Sequence, residues 1–399
     1  MAGASLALLL AQKLPHSRIV LIEQNSLQAS SAEQTVLPSF DARSTALSCS
    51  TQRILLSLGL WNALKEKAAR IAAVHVSERH HVAGMLMRAE EDALPALGYV
   101  VENRHLGFVL LEALKACANV ECLEHTHTKA VRFTADSALL TIEKTAEEAS
   151  SFELAASLIV VADGSQSALR QQLGIAVDQS PYSQRAIIAN MIVDKPHQGI
   201  AYERFTETGP IALLPLQDCA LQHSRYLHRM ALVWTVPERE AEQVLSLSDT
   251  DFIARVQACF GERCGVLQAA GARFAYPLVL TQAREQVRTR LVLFGNAAHS
   301  LHPVAGQGFN LILRDCLALA NTLAAGQSQM RDVGELALLQ QYLRTQAWDQ
   351  QKTITASDWL PRLFSSRERA QKTLRTAALL GLDFLPGMRE RFARSATGI

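Results

Sequence analysis

One stretch, "RLVLFGNAAHSLHPVAGQGFNLILRDCLALANTL", constrains this chain more than any other. Leu291 to Phe294 is a short, continuous apolar run, the composition of a strand buried on both faces. The run stops at Gly295 and Asn296, crosses a loop carrying His299, His302 and Pro303, and meets Gly306-Gln307-Gly308. Those glycines open an apolar-periodic segment that predicts a long helix from about Gly308 to Ala325. Two glycines at a helix start let backbone N–H groups approach a ligand, and the helix dipole adds partial positive charge. Such a site suits a phosphate, or a flavin ring whose N1 and O2 become negative on reduction.

The opening segment, "MAGASLALLLAQKLPHSRIVLIEQ", gives a second signal. Gly3 to Lys13 is small and apolar, with Ala4, Ala7 and Ala11 on one side, and Pro15 ends it. Arg18 to Ile22 then has the β-branched composition of a buried parallel strand, with Glu23 at its C-terminal end, 20 residues after Gly3. In a dinucleotide-binding βαβ unit the third glycine allows close helix–strand packing, and an acid about 20 residues later takes the ribose hydroxyls. Gly3 and Glu23 fit those two roles. The first strand and the first two glycines of such a unit would fall before Met1. A secretory leader is the weaker reading, because no Lys or Arg precedes the apolar run and a strand follows it directly.

Bulk properties narrow the class. A chain of 399 residues, 49% apolar and 19% charged, is long enough for two domains and a large core. No run reaches the roughly 18 apolar residues of a membrane span. A net charge of +1 argues against a nucleic-acid binder held by phosphate contacts. The seven cysteines are odd in number and form no C-x-x-C pair, which points to a reduced, cytoplasmic protein. His80-His81 and His125-x-His127 lack partners at ligand spacing, so no metal site is expected. From Pro361 onward eight Lys/Arg face three acids, interleaved with Leu363, Phe364, Leu379, Leu380, Phe384, Leu385 and Phe392. That pattern reads either as a helical cap with a solvated face or as a peripheral contact with anionic lipid on the inner face of a membrane.

Helix and strand signals alternate to about residue 70. "IAAVHVSER" and "AGMLMRAEE" predict a hairpin, Asn103 to Ala118 a helix, and "AASLIVVADGS" a buried strand ending in a polar turn. Between about Tyr182 and Arg273 the texture becomes extended, predicting an antiparallel sheet with turns at Pro196, Gly209 and Pro237. The expected architecture is α/β. A Rossmann-like nucleotide-binding domain without its first strand (1–70, 99–181 and 272–330) carries an inserted second domain, an antiparallel β-sheet (71–98 and 182–271). A C-terminal helical segment (331–399) follows.

"GNAAHSLHPVAGQGFN" resembles the second flavin motif of the group A flavoprotein monooxygenases, the p-hydroxybenzoate hydroxylase family. "VVADGSQSALRQQLGI" resembles their other internal motif, with Asp163, Gly164 and Arg170 at its characteristic positions. "FDARSTALSCSTQRILLSLGLW" and "YERFTETGPIALLPL" resemble the branch that hydroxylates polyprenylated phenols in ubiquinone biosynthesis, nearest the 2-polyprenyl-6-methoxyphenol hydroxylase group. That family reads G-G-G-M-A-G at its first loop, so Met1-Ala2-Gly3 matches the end of the fingerprint.

The resemblance implies FAD as cofactor and NAD(P)H as a transiently docking cosubstrate. A polyprenylated phenol is then hydroxylated with O2 by way of a flavin hydroperoxide. It implies that Gly3 packs at the pyrophosphate loop and Glu23 binds the adenosine ribose. Arg43 would lie near the flavin phosphates or ring edge, and Asn103 would contact the flavin chain. Asp163, with Gly164 and Arg170, would serve FAD and the nicotinamide cofactor. Gly295 and Asn296 would meet the ribityl chain, where the family often has Asp in place of Asn296; asparagine still hydrogen-bonds but adds no charge. Pro303 would lie over the ring, and Gly306, Gln307, Gly308, Phe309 and Asn310 would face the pyrimidine side. His299 and His302 are the candidates for a base, with His302 placed beside Pro303 as catalytic. Two alternatives stand beside this reading. One is another flavoprotein of the same fold, such as a reductase or epoxidase. The other is a non-catalytic member of a ubiquinone-biosynthesis complex, with weak FAD binding for want of the first strand.

Overall fold

The structure is a computed structural model, and it describes residues 1–27, 43–79, 84–145, 150–220, 226–301 and 306–365. Helix α1 (Ala2–Lys13) ends before Pro15 and is followed by strand β1 (Ile19–Ile22). The small residues of α1 let its backbone come close to the sheet. A Cβ on Gly3 would stand 3.4 Å from Leu21 Cδ1 and 3.8 Å from Ala162 Cβ. Leu9 on the same helix is fully buried, which stabilises the fold by about 2 kcal/mol.

Strand β2 (Ser44–Ser48) runs into α2 (Cys49–Ser57), where the Ser48 hydroxyl caps the helix by accepting from the Thr51 amide. Strands β3 (Ala73–Glu78) and β4 (Gly84–Arg88) form the expected antiparallel hairpin. Strand β5 (Gly98–Glu102) pairs with β2 and leads to α3 (Asn103–Lys115), three residues shorter than its periodicity predicts. Strand β6 (Val120–Leu123) pairs in parallel with β1. Next come β7 (Ile159–Val161), β8 (Val177–Val193), β9 (Ile200–Thr206), β10 (Gly209–Pro215) and β11 (Tyr226–Pro237). Helices α4 (Glu238–Leu245) and α5 (Asp249–Phe260), strands β12 (Phe274–Ala283) and β13 (Leu291–Leu293), and helices α6 (Gln307–Ser328) and α7 (Leu336–Ser365) complete the elements that build the site.

The parallel layer is in two parts. Strand β1 pairs only with β6, and β7 pairs with β13, so β1 and β7 each keep one edge without a strand partner among the described residues. This corrects the expectation of a fully buried strand at Ile19–Ile22. All four of its residues are only half-buried, because that edge opens into a cavity instead of a neighbouring strand. One core joins α1, α2, α3, α6 and α7 through residues such as Leu8, Leu55, Leu110, Cys316, Leu319 and Tyr342.

Among the described residues the large sheet has ten strands. Its main path runs from His299–Ser300 through β12, β8, β11, β10, β9 and β3 to β4. It is antiparallel except where β9 lies parallel to β3, with Ile200 opposite Ala73 and Phe205 opposite Glu78. The predicted sheet is therefore mixed: the 73–88 hairpin comes from a distant part of the chain and docks on β9 in the same direction. The sheet also extends beyond the segments expected for it, since β8 starts at Val177 and β12 reaches Ala283. Helices α4 and α5 cover its outer face through Ala241, Val244, Phe252, Val256 and Phe260. The inner face remains open toward the parallel layer.

All seven cysteines are free. Among the described residues no cluster of His, Cys, Asp and Glu could hold a metal, and no helix is long and apolar enough to cross a membrane. His302, Pro303 and the basic residues beyond 365 lie outside the described residues.

Candidate active site

The two parts of the molecule face one continuous cavity of about 1820 Å3. Pockets for a single small ligand commonly measure roughly 300–1,000 Å3, so this one has room for a dinucleotide and a second molecule. One wall is the open edges of β1 and β7, the start of α1, residues 43–48 and the start of α6. The other wall is the inner face of the large sheet.

At the α6 end the glycines differ in what they do. Gly306 has φ +60°, and a Cβ there would stand 3.1 Å from Ala46 Cβ, so both conformation and space demand glycine. Gly308 has nothing among the described residues within 4 Å of where its Cβ would be. Its missing side chain leaves a cradle at the helix N-terminus, where amide groups and dipole favour a negative ligand. Gln307, Phe309 and Asn296 also line the cavity.

Asn310 is placed differently from the expectation. It borders the cavity, but its amide is used within the protein. Oδ1 accepts from the Ser48 amide at 2.8 Å, while Nδ2 donates to the Ala46 and Gly306 carbonyls at 2.9 and 3.0 Å. Asn310 thus ties β2 to the glycine turn and shapes the cradle. Replacing it with alanine strands a buried amide and a buried carbonyl. The expected result is a loss of about 2–3 kcal/mol of stability, read by chemical denaturation, together with weaker FAD binding.

The start of α3 completes this corner. The Asn103 amide donates to the Arg43 carbonyl at 2.8 Å, and Asn103 Oδ1 accepts from Thr45 Oγ1 at 2.6 Å. Asn103 Nδ2 has no partner among the described residues, and the residue lines the cavity. The Arg43 guanidinium lies 4.6 Å from the Tyr276 ring centroid. At the far end Glu23 lines the cavity and accepts from the Asn25 amide and Nδ2, both at 3.0 Å. Asp163 and Gly164 line it as well; Gly164 has φ +94°, a conformation that favours glycine.

Two residues that the resemblance assigns to the cofactor act through others. Arg170 is buried and absent from the cavity lining. Its guanidinium donates to Ala297 O at 2.9 Å and Ser165 O at 3.0 Å, clamping the turn after β7 to the turn after β13. Gly295 has φ +57°, and a Cβ there would be 3.0 Å from Ala2 Cβ, so it admits the start of α1. His299, a candidate base, is also buried away from the cavity. Its Nε2 lies 3.0 Å from Asp315 Oδ2, and Gln350 Nε2 donates to both oxygens of that carboxylate at 3.1 and 3.2 Å. It joins α6 and α7 in a buried polar cluster, as loop histidines often do.

The sheet wall carries a residue the motifs did not single out. The register places Met85, Val76, Glu203, Ala212, Val233 and Ile188 in one row across β4, β3, β9, β10, β11 and β8. All six line the cavity, and five are apolar. The next row, Met87, Val74 and Ala201, is wholly apolar, and Leu214 on β10 also lines the cavity. Glu203 is half-buried, with its remaining surface inside the cavity, and burial alone pushes its pKa up to about 7. A signal was present in the sequence: alternation along "IAYERFT" puts Glu203 on the same face as Ala201 and Phe205.

A glycine-opened helix, an open cradle beside it, an acid at the end of β1 and an apolar second wall define a dinucleotide-binding flavoprotein with room for an apolar substrate. Residues 1–355 match the family described as "FAD binding domain". The chain is 31% identical over its whole length to a ubiquinone hydroxylase, UbiL, of Rhodospirillum rubrum, covering 87% of that protein. It is 27% identical to the human mitochondrial ubiquinone biosynthesis monooxygenase COQ6, over 90% of this chain and 82% of that one. Among solved structures, p-nitrophenol 4-monooxygenase PnpA of Pseudomonas putida superimposes with a TM-score of 0.75 at 17% identity, covering 98% of this chain and 94% of that one. That likeness shows the fold. The chain belongs to the FAD-binding-domain family and, within it, to the flavoprotein monooxygenase group that includes the ubiquinone hydroxylases. Its cofactor is FAD.

Proposed function

We propose that this protein hydroxylates the ring of a polyprenylated phenol in ubiquinone biosynthesis, using FAD, NAD(P)H and O2. The observation that carries the reading is one cavity running unbroken from the cradle at Gly308 to the apolar rows of the large sheet. The names of the ubiquinone hydroxylase and COQ6 relatives support the substrate class.

FAD, when bound, supplies the acceptance of hydride from NAD(P)H and the activation of O2. The chain's own residues bind, orient and exclude water. The amides at the start of α6 face the cradle, where partial positive charge favours the pyrimidine edge. Asn310 and Gly306 hold β2 against that turn. Glu23 stands at the end of β1, where a ribose hydroxyl would donate to it. Arg43, Asn103 and Asp163 line the space between these ends. The valine, methionine and alanine rows take the prenyl chain and keep water from the ring.

Purified protein supplied with FAD, NADH or NADPH, and a short-chain prenylated phenol is expected to yield a product one oxygen atom heavier, the oxygen coming from isotope-labelled O2. Mass spectrometry reads the product. Reductant consumed with only hydrogen peroxide formed, whichever prenylated phenol is offered, would sink the reading. The basic C-terminal sequence supports a further element of it, contact with anionic lipid. The full chain should float with anionic vesicles at low salt and not with neutral ones; equal flotation would remove that element.

A further inference from the structure

We propose that Glu203 holds the phenol hydroxyl of the substrate and accepts its proton, a role that rests on the proposed phenol hydroxylation. Glu203 is the one charged side chain in a row of six that spans the sheet wall of the cavity, between Val76 on β3 and Ala212 on β10. No described group hydrogen-bonds its carboxyl. A carboxyl in an apolar wall is unfavourable unless something polar meets it. Here that partner has to come from the ligand. A prenyl chain carries no donor, so the apolar rows on either side suit the chain, and the carboxyl suits the hydroxyl of the ring.

The step balances without a co-reactant. The phenol O–H bond breaks, its electron pair stays on the ring oxygen, and the proton forms an O–H bond to a Glu203 carboxylate oxygen. The resulting phenolate is richer in electrons at the ring carbons ortho and para to that oxygen, the positions an electrophilic oxygen attacks. Burial, by pushing the carboxyl up to about 7, makes it a better match for a phenol near neutral pH than an ordinary carboxylate.

Other charges stand apart from it. Arg204 points to the opposite face of β9 and donates to the Phe260 carbonyl. Glu78, two residues beyond Val76 on β3, is engaged elsewhere. Asp358 on α7 accepts from the Tyr182 hydroxyl at 2.6 Å. Among the described residues the remaining titratable groups lining the cavity are Tyr202, beside Glu203 on β9, whose hydroxyl donates to the Arg263 carbonyl at 3.5 Å, and the Met1 amine, Arg18, Glu23, Arg43, His127 and Asp163, which lie outside the sheet wall.

The test compares the wild-type holoprotein with E203Q and E203D, using 2-geranylphenol as the probe. Affinity is read by calorimetric titration and turnover by product formation from pH 6 to 9. Glutamine keeps the shape and cannot take the proton, so E203Q is expected to bind the probe at least about tenfold more weakly at pH 8. Its turnover should fall about 100-fold, and the rise in rate centred near pH 7 should disappear. E203D should keep that rise at reduced rate. Thermal melting shows whether each variant is folded. A purely structural role would lower the melting temperature but leave the shape of the pH profile unchanged. E203Q with wild-type affinity, rate and profile overturns the proposal, and so does a slow E203Q that keeps the inflection near pH 7. Wild-type protein that neither binds nor hydroxylates any prenylated phenol overturns the proposed function itself, and this role with it.

Discussion

Valine in place of Gly308 is expected to abolish FAD binding while leaving the fold about as stable as before. No atom of the described residues lies within 4 Å of the Cβ position at Gly308, and its φ is not in the left-handed region. The protein alone can therefore accommodate a side chain there. Valine is a slightly better helix former than glycine, by a few tenths of a kcal/mol, so denaturation midpoints should barely move. The new methyl groups would occupy the cradle at the N-terminus of α6, where the cofactor's negative edge would lie. A loss of at least about 100-fold in affinity, about 3 kcal/mol, is expected in a titration followed by flavin fluorescence. Gly306 serves as the contrast, because its φ of +60° and the 3.1 Å approach to Ala46 make any side chain there destabilising by itself. A G308V protein that takes up FAD as the parent does would place the cofactor elsewhere in the cavity.

The second large effect concerns stability and pH. Glu203 has a raised folded-state pKa of about 7 against an ordinary 4.5. Between those values the folded protein keeps a proton that the unfolded chain has released, so raising the pH favours unfolding through that window. Above about 7 the penalty is complete. A shift of this size corresponds to about 3 kcal/mol. E203L removes the group, so its stability advantage over wild type should be about 3 kcal/mol greater at pH 8 than at pH 4. Urea denaturation of the FAD-free proteins at the two pH values measures this. An advantage equal at both would mean that the carboxyl is solvated in the folded state. If E203L is both more stable and inactive, Glu203 is a residue kept for function at the expense of stability.

Much of the nucleotide-binding side was legible in the sequence because its signals are local. The strand at Leu291–Leu293, the glycines of 306–308 and the helix beyond them fall within one short stretch. Their periodicity and backbone requirements do not depend on distant residues. The same holds for α1, where small residues and Pro15 set both the packing and the end of the helix. What escaped the sequence was the division of labour among the motif residues. Arg170, Gly295 and Asn310 sit in the right motifs, yet they clamp turns and admit a helix through partners far along the chain, such as Ala297, Ala2 and Ser48.

His299 shows the same limit from the other side. Its neighbours in sequence belong to the site, but its ring is claimed by Asp315 on α6, a residue that Gln350 on α7 also contacts. The half-open state of β1 depends on strand pairing rather than on composition, since Ile-Val-Leu-Ile reads as fully buried. Most plainly, the sequence by itself placed Glu203 on one face of a strand and no more. Only the register of six strands, drawn from segments between residues 73 and 237, turned that face into an apolar wall with a single carboxyl in it. Periodicity fixes which side of a strand a residue occupies, but burial and ionisation depend on what the rest of the chain places opposite it.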